Sequence, residues 1–380
     1  MVPYLQALAS AGHEVRVASG AHFLKYVERA GLDGVVAGLD WGTRHAPPAL
    51  TDAVALENEV QMREAMLAFF AGPAARSMAN DLLDLTDAWR PDIVLSDWTE
   101  FGASVVAETL NIPYLPISVG MRLPPAGLEV VAKELHALRD RHGLAADQDL
   151  GAPYRFGCLS LFPREWLPEE QPPFEGEVFF NPAPEWHDES EAGPWLASLP
   201  DPPVVYATLG SIFSVLPGPL EALIDGLGHG PWSVIVATGG MRDPEAFTGL
   251  PDNLRVESWV PQRALLARAD LVVHHAGYST SMDAVLAGVP QTVLPLTADQ
   301  PEHADAVRRL GLGRVVPAVR ELPYGPVVDR GQLTPETVQE AARQTLEEPR
   351  HRTRSEELRD RLHKLPGPPT FVDTVEQVAR

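Results

Sequence analysis

Five short runs of small and polar residues each follow an apolar, strand-like run in the second half of the chain. Gly210-Ser211 follows VVYATL (204–209), and Thr238-Gly239-Gly240 follows SVIVAT (233–238). Trp259-Val260-Pro261-Gln262 follows LRVES (254–258), and Thr297-Ala298-Asp299-Gln300 follows QTVLP (291–295). The fourth run, His275-Ala276-Gly277-Tyr278-Ser279-Thr280, closes LVVHH (271–275) and leads into a helical pattern, STSMDAVLAG. A helix that opens on small hydroxyl residues presents free N–H groups and the positive end of its dipole, which suits a phosphate. His275 adds a ring donor, and Ser279 and Thr280 add hydroxyls. Thr280 and Asp283 also read as a capping-box-like pair, a role compatible with a phosphate site.

These loops need a frame. The strand-like runs, with GRVVP (313–317), make six. Helical stretches between most of them imply crossovers and a doubly wound parallel sheet, whose ligands bind beyond the carboxyl ends of the strands. The first half alternates too: EVRVAS (14–19), DIVLSD (92–97) and YLPIS (114–118) read as strands, while 57–70, 73–89 and 128–141 read as helices. Met62, Met66, Phe69 and Phe70 fall on or near one helix face, where core packing is the first explanation and an apolar ligand the second. Between 168 and 202 the chain turns rich in Pro, Gly and acid, the composition of a linker. The organisation expected is an N-terminal domain at 1–184, a linker at 185–199 and a second domain at 200–362. A closing helix at 363–380 is expected to cross back, with PGPP (366–369) breaking the chain before it.

The 380 residues suit two cores of roughly 150–200 residues each. With 45% hydrophobic and 22% charged residues the composition is globular, and no run reaches the ~20 apolar residues of a membrane span. The formal charge of −22 excludes nucleic acid and anionic membrane as general partners. One cysteine, Cys158, precludes an intrachain disulfide and a thiolate cluster. With no basic leader at the start, the expected location is the cytoplasm.

The run from Trp259 to Gly313, WVPQRALL…ADLVVHHAGYSTSMDAVLAGVPQTVLPLTADQPEHADAVRRLGLG, resembles the nucleotide-sugar signature of family 1 glycosyltransferases, most closely the bacterial enzymes that decorate antibiotics and other natural products. YATLGS and LASAGHEVRVAS extend the resemblance more loosely over the chain. It implies an α/β GT-B fold, two Rossmann-like doubly wound domains facing a cleft, with the acceptor in the first and the donor in the second. Trp259 would flank the nucleobase and the Val260 backbone would bond its edge. Gln262 and Asp283 would reach the ribose. Gly210, Ser211, His275, Gly277, Ser279 and Thr280 would hold the diphosphate, and Asp299 and Gln300 the sugar. Tyr278 has no assigned role. The implied reaction is inverting transfer of a sugar, a deoxysugar by the resemblance, from a dTDP- or UDP-linked donor to a hydroxyl of an apolar small molecule. It needs neither cofactor nor metal, and the partners are those two small molecules. The oligomeric state is left open.

The family's base is a His in a G-H-x-x-P loop. Pro3 aligns with that Pro, so the expected base falls just before Met1, on an upstream extension that also carries the first strand. Asp97 matches the acid that orients it; a loop cap is its other reading. Three alternatives use the same residues: a non-catalytic nucleotide-sugar-binding partner protein, a nucleotide-sugar epimerase on the same fold, and a serine hydrolase built on Ser279, Asp299 and His303.

Overall fold

A computed structural model describes residues 1–40, 48–54, 56, 58–119, 122–123, 125–182 and 203–380, so the expected linker at 185–199 lies outside the described residues. The chain divides into two compact α/β units. One comprises Met1–Arg164, Glu169–Glu185 and Leu365–Arg380; the other comprises Glu165–Pro168 and Trp186–Lys364.

In the first unit the strands form two parallel sheets. β1 (Arg16–Ser19) pairs with β2 (Asp33–Val36), and β3 (Val94–Asp97), β4 (Tyr114–Ser118), β5 (Cys158–Ser160) and β6 (Glu177–Phe179) line up in that order. Helices α1 (Val2–Ser10) and α2 (Ala21–Arg29) flank β1 in the chain, and α3 (Pro48–Val54) leads to α4 (Glu59–Phe69). Asn58 caps α4 by accepting from the amides of Val60 and Gln61. A π-type turn at Phe70–Ala74, which contains Pro73, joins α4 to α5 (Ala75–Ala88) without ending the helix. Pro73 has no N–H to give, and the wider turn accommodates it. The core joins Leu67, Ala71 and Ala75 to Phe101 and Val105 of α6 (Phe101–Thr109) and to Leu135 of α7 (Pro125–Arg141). Met62, Met66 and Phe69 are also buried, and Phe70 packs against this core, as the packing reading expects. The final helix, Pro368–Ala379, groups with this unit. Its Phe371 ring lies 4.6 Å from Tyr4 of α1 and 5.3 Å from Phe180.

The second unit carries one six-stranded parallel sheet in the order β12-β11-β10-β7-β8-β9. Its strands are β7 (Val204–Thr208), β8 (Ser233–Ala237), β9 (Leu254–Glu257), β10 (Leu271–His274), β11 (Gln291–Val293) and β12 (Gly313–Val315). β7 and β10 are buried along their whole length, as expected of apolar runs covered on both faces. The order reverses between them, with Leu271 opposite Val205 and His274 opposite Thr208. This switch point is where a doubly wound sheet opens a crevice at its carboxyl edge. An antiparallel hairpin, β13 (Val319–Leu322) and β14 (Gly325–Val328), follows the sheet, with β14 buried.

Candidate donor site at the sheet switch point

The loops after β7 and β10 meet at the switch point. Gly210 adopts φ +74°, a left-handed conformation that favours glycine, and a Cβ on it would stand 2.7 Å from the His275 ring. A Cβ on Gly277 would stand 2.5 Å from His275 Nε2. Both positions therefore exclude any side chain, and the Nε2 edge of His275 lies against two bare backbone segments. Desolvation pushes His275 down to about 4, although Asp299 and the Thr208 backbone pull it upward. The ring is therefore neutral near pH 7. His274 points the other way, fully buried against Gln291 Oε1 at 2.9 Å and pushed down to about 3 by burial.

The helix after β10 spans Tyr278–Ala287, and Gly277 is its N-cap, with extended backbone and no side-chain cap. This corrects the capping-box reading: Thr280 sits at the third helical position and Asp283 at the sixth, so neither caps. The uncapped first-turn amides stay available beside Gly210. Ser279 is exposed, whereas Thr280 is buried with its hydroxyl 3.5 Å from Gln262 Oε1.

Gln262 and Asp283 are held together. Gln262 Nε2 donates to Asp283 Oδ2 at 2.8 Å, and its Oε1 accepts from the Tyr206 hydroxyl at 3.0 Å. Asp283 Oδ1 accepts from Arg263 Nε at 2.9 Å. Tyr206 and Arg263 thus belong to this cluster, and nothing in the loop composition marked them. Trp259 stands 63% exposed, its Nε1 2.7 Å from where a Cβ on Gly240 would lie. An exposed indole resting on a glycine offers a flat apolar face to a ring.

Asp299 and Gln300 differ from one another. Gln300 is fully buried, and its Oε1 accepts from the amides of Leu296 and Thr297, so it clamps its own loop; its Nε2 has no hydrogen-bond partner among the described residues. Asp299 keeps part of its surface and bonds His303 Nε2 at 3.1 Å through Oδ2. Trp166 Nε1 lies 2.7 Å from His303 Nδ1. An indole N–H only donates, so Nδ1 accepts and the His303 proton sits on Nε2, aimed at Asp299. Burial raises the Asp299 carboxyl, but its hydrogen bond with His303 outweighs that, and it lies below its ordinary range. Trp166 is anchored in turn. Arg309 donates to the Glu165 and Trp166 carbonyls at 3.0 and 2.7 Å, which holds Glu165–Pro168 on the second unit. The Trp166–His303–Asp299 chain was invisible in sequence because its first member lies far from the other two. It also removes the hydrolase reading, since both His303 nitrogens are engaged and neither is left to serve Ser279.

In the first unit Asp97 ends β3, where its Oδ1 accepts from the Thr99 amide at 2.9 Å and from the Thr99 hydroxyl. Glu100, not Asp97, caps α6, accepting from the Gly102 amide at 3.0 Å. Burial pushes the Glu100 carboxyl up to about 7, against opposing hydrogen bonds from Gly102 and Ala103. His13 pairs with Glu376 at 3.1 Å.

Two family descriptions match this chain. The N-terminal domain of the erythromycin biosynthesis protein CIII-like family matches residues 6–149, and its C-terminal domain matches 222–378. The chain belongs to this family. The 10-deoxymethynolide desosaminyltransferase of Streptomyces venezuelae is 28% identical, aligned over 100% of this chain and 93% of that relative. The TDP-daunosamine transferase DnrS of Streptomyces peucetius is 29% identical with the same two coverages. Among solved structures, spinosyn rhamnosyltransferase SpnG superposes with a TM-score of 0.78 at 23% identity, covering 99% of this chain and 95% of SpnG. That likeness establishes the GT-B fold. The glycosyltransferase therefore carries two parallel-sheet units of the expected class, and no finding supports a partner protein or an epimerase. Among its described residues no helix is long and apolar enough to cross a membrane.

Proposed function

We propose that this glycosyltransferase moves a deoxysugar, with inversion, from a thymidine or uridine diphosphate to a hydroxyl of an apolar small molecule. The observation that carries the donor half is the Gly210–His275–Gly277 contact at the sheet switch point, beside the uncapped Tyr278–Ala287 helix. The diphosphate lies along Gly210, Ser211, Gly277, Ser279 and Thr280, with His275 donating. Trp259 and the Val260 backbone take the nucleobase, and Gln262 with Asp283 meets the ribose. Asp299 receives sugar hydroxyls, Gln300 shapes the loop around it, and Trp166 and His303 fix its direction. The name of the daunosamine transferase supports a TDP donor.

The acceptor oxygen attacks the anomeric carbon as the bond from that carbon to the diphosphate breaks. Asp97 stands on the acceptor side, where the resemblance assigns it to orient the base that takes the acceptor proton. Charge developing on the leaving diphosphate meets the helix N-terminus, His275 and the hydroxyls, an arrangement that needs no metal. The first unit holds the acceptor. Cys158, buried and free, suits a reducing cytoplasm. Asp97→Ala is the test. Transfer should slow by roughly 10²–10⁴-fold, the scale of acid–base catalysis, while calorimetry finds TDP affinity unchanged. Unchanged transfer removes Asp97 from the mechanism, and parallel loss of TDP affinity means that the substitution damages the fold.

A further inference from the structure

The first unit contains a cavity of about 190 Å³ beside Asp97, lined by Trp98, Phe101, Tyr114, Tyr154 and Phe174 among others, with Arg122 in its wall. Arg122 is built in. Its guanidinium carbon lies 3.7 Å above the Phe174 ring, and Phe174 stacks at 3.9 Å on Tyr154. Its Nη2 donates to Glu177 Oε2 at 2.6 Å. Glu177 is fully buried and held by the Phe174 amide and the Ser160 hydroxyl, so it cannot swing away. That leaves Arg122 Nε and Nη1 buried with no acceptor among the described residues. Unmet guanidinium donors in an aromatic enclosure are costly, and a ligand oxygen satisfies them.

Charge decides which oxygen. Glu177 already neutralises Arg122, and Asp149 on the cavity wall adds a negative charge. Asp97 adds another, next in sequence to Trp98. A carboxylate entering there meets net repulsion, and a neutral carbonyl does not. Size decides how much of a molecule enters. A cavity of about 150 Å³ takes one benzene, so this one takes a single ring with a substituent.

We propose that the cavity seats an apolar ring of the acceptor and that Arg122 Nε and Nη1 donate to a neutral carbonyl oxygen carried on that ring. This rests on the reading that the first unit holds the acceptor, and it adds a neutral carbonyl on that ring to what the acceptor must carry. Three probes of one size test it on the full chain by ligand-observed NMR: para-hydroxyacetophenone, para-ethylphenol and para-hydroxybenzoate. The ketone should bind about tenfold tighter than the ethylphenol, the scale of a hydrogen bond from a charged donor, and the carboxylate more weakly than the ketone. In the Arg122→Met/Glu177→Gln double variant, which removes both charges together, the preference for the ketone should vanish. Arg122→Lys, which keeps the charge and loses the fork, should reduce it. Equal binding of ketone and ethylphenol to the wild type overturns the proposal whatever the variants do. So does tightest binding of the carboxylate, or a ketone preference that survives in a folded double variant. Calorimetry with TDP runs alongside: a chain that fails to bind TDP defeats the glycosyltransferase reading, whereas a chain that binds TDP and ignores the carbonyl defeats only this proposal.

Discussion

The role given to His275 predicts a proton-linked donor affinity. A neutral imidazole has one N–H, and the Thr208 backbone competes for it. Donating to a diphosphate as well requires the ring to gain a proton. In the free protein that ring is pushed down to about 4 by burial, so protonating it at pH 7 costs about 4 kcal/mol at 1.36 kcal/mol per unit. One diphosphate charge at about 4 Å returns ~4 kcal/mol at an effective dielectric of 20. The two nearly cancel, which places the titration of the bound ring near neutrality. The Kd ratio of His275→Ala to wild type should then be roughly 10–150 at pH 6, from a charge-assisted bond of about 1.5–3 kcal/mol. It should fall as the pH rises through 7 and level off by pH 8. Calorimetry with TDP across pH 6–8 reads this ratio, and the variant corrects for the diphosphate's own titration. In wild type alone, the binding heat should depend on the buffer's ionisation enthalpy near pH 7. A ratio of one throughout shows that His275 does not touch the diphosphate. A large ratio that ignores pH shows a ring acting in its neutral form.

Trp166→Phe removes the only donor to His303 Nδ1 among the described residues. It should leave TDP affinity within about twofold while weakening TDP-sugar binding roughly tenfold, the scale of one hydrogen bond to a charged group; competition binding with TDP and TDP-sugar separates the two. Glu100 gives a stability profile. Its carboxyl is raised to about 7 in the folded protein from an ordinary 4.5, so the folded state holds that proton more tightly than the unfolded chain. This stabilisation is complete below about 4.5 and lost as the pH rises through 7. Glu100→Gln, which keeps an acceptor for the Gly102 amide, should lose less melting temperature than wild type between pH 5 and 8.

The donor half was legible because its signals are local. β7, β8 and β10 are largely apolar runs, and each polar loop stands beside the strand that positions it, so chain order and spatial order coincide. Side-chain pairings were not legible. Gln262 with Asp283, Arg263 with Asp283, and Trp166 with His303 join residues whose neighbourhood depends on the sheet order. The helix start was misread because Gly277 caps in an extended conformation without a side chain, which leaves no hydroxyl to mark it. β5, β6 and the β13–β14 hairpin were missed for lack of signal: three- and four-residue strands carry too few residues for a period to show. Arg122 is held by Phe174 and Glu177, more than fifty positions away, so nothing in its own stretch of sequence marks it.

Acceptor-dependent transfer is the most direct test of the account. The protein is incubated with a TDP-deoxysugar, with and without a hydroxylated apolar ring compound that carries a carbonyl, and products are read by mass spectrometry and anomeric NMR. Glycoside should form only with acceptor, with one TDP released per glycoside and an anomeric configuration opposite to that of the donor. Retention of the donor's configuration, or consumption of donor at the same rate without acceptor, contradicts it.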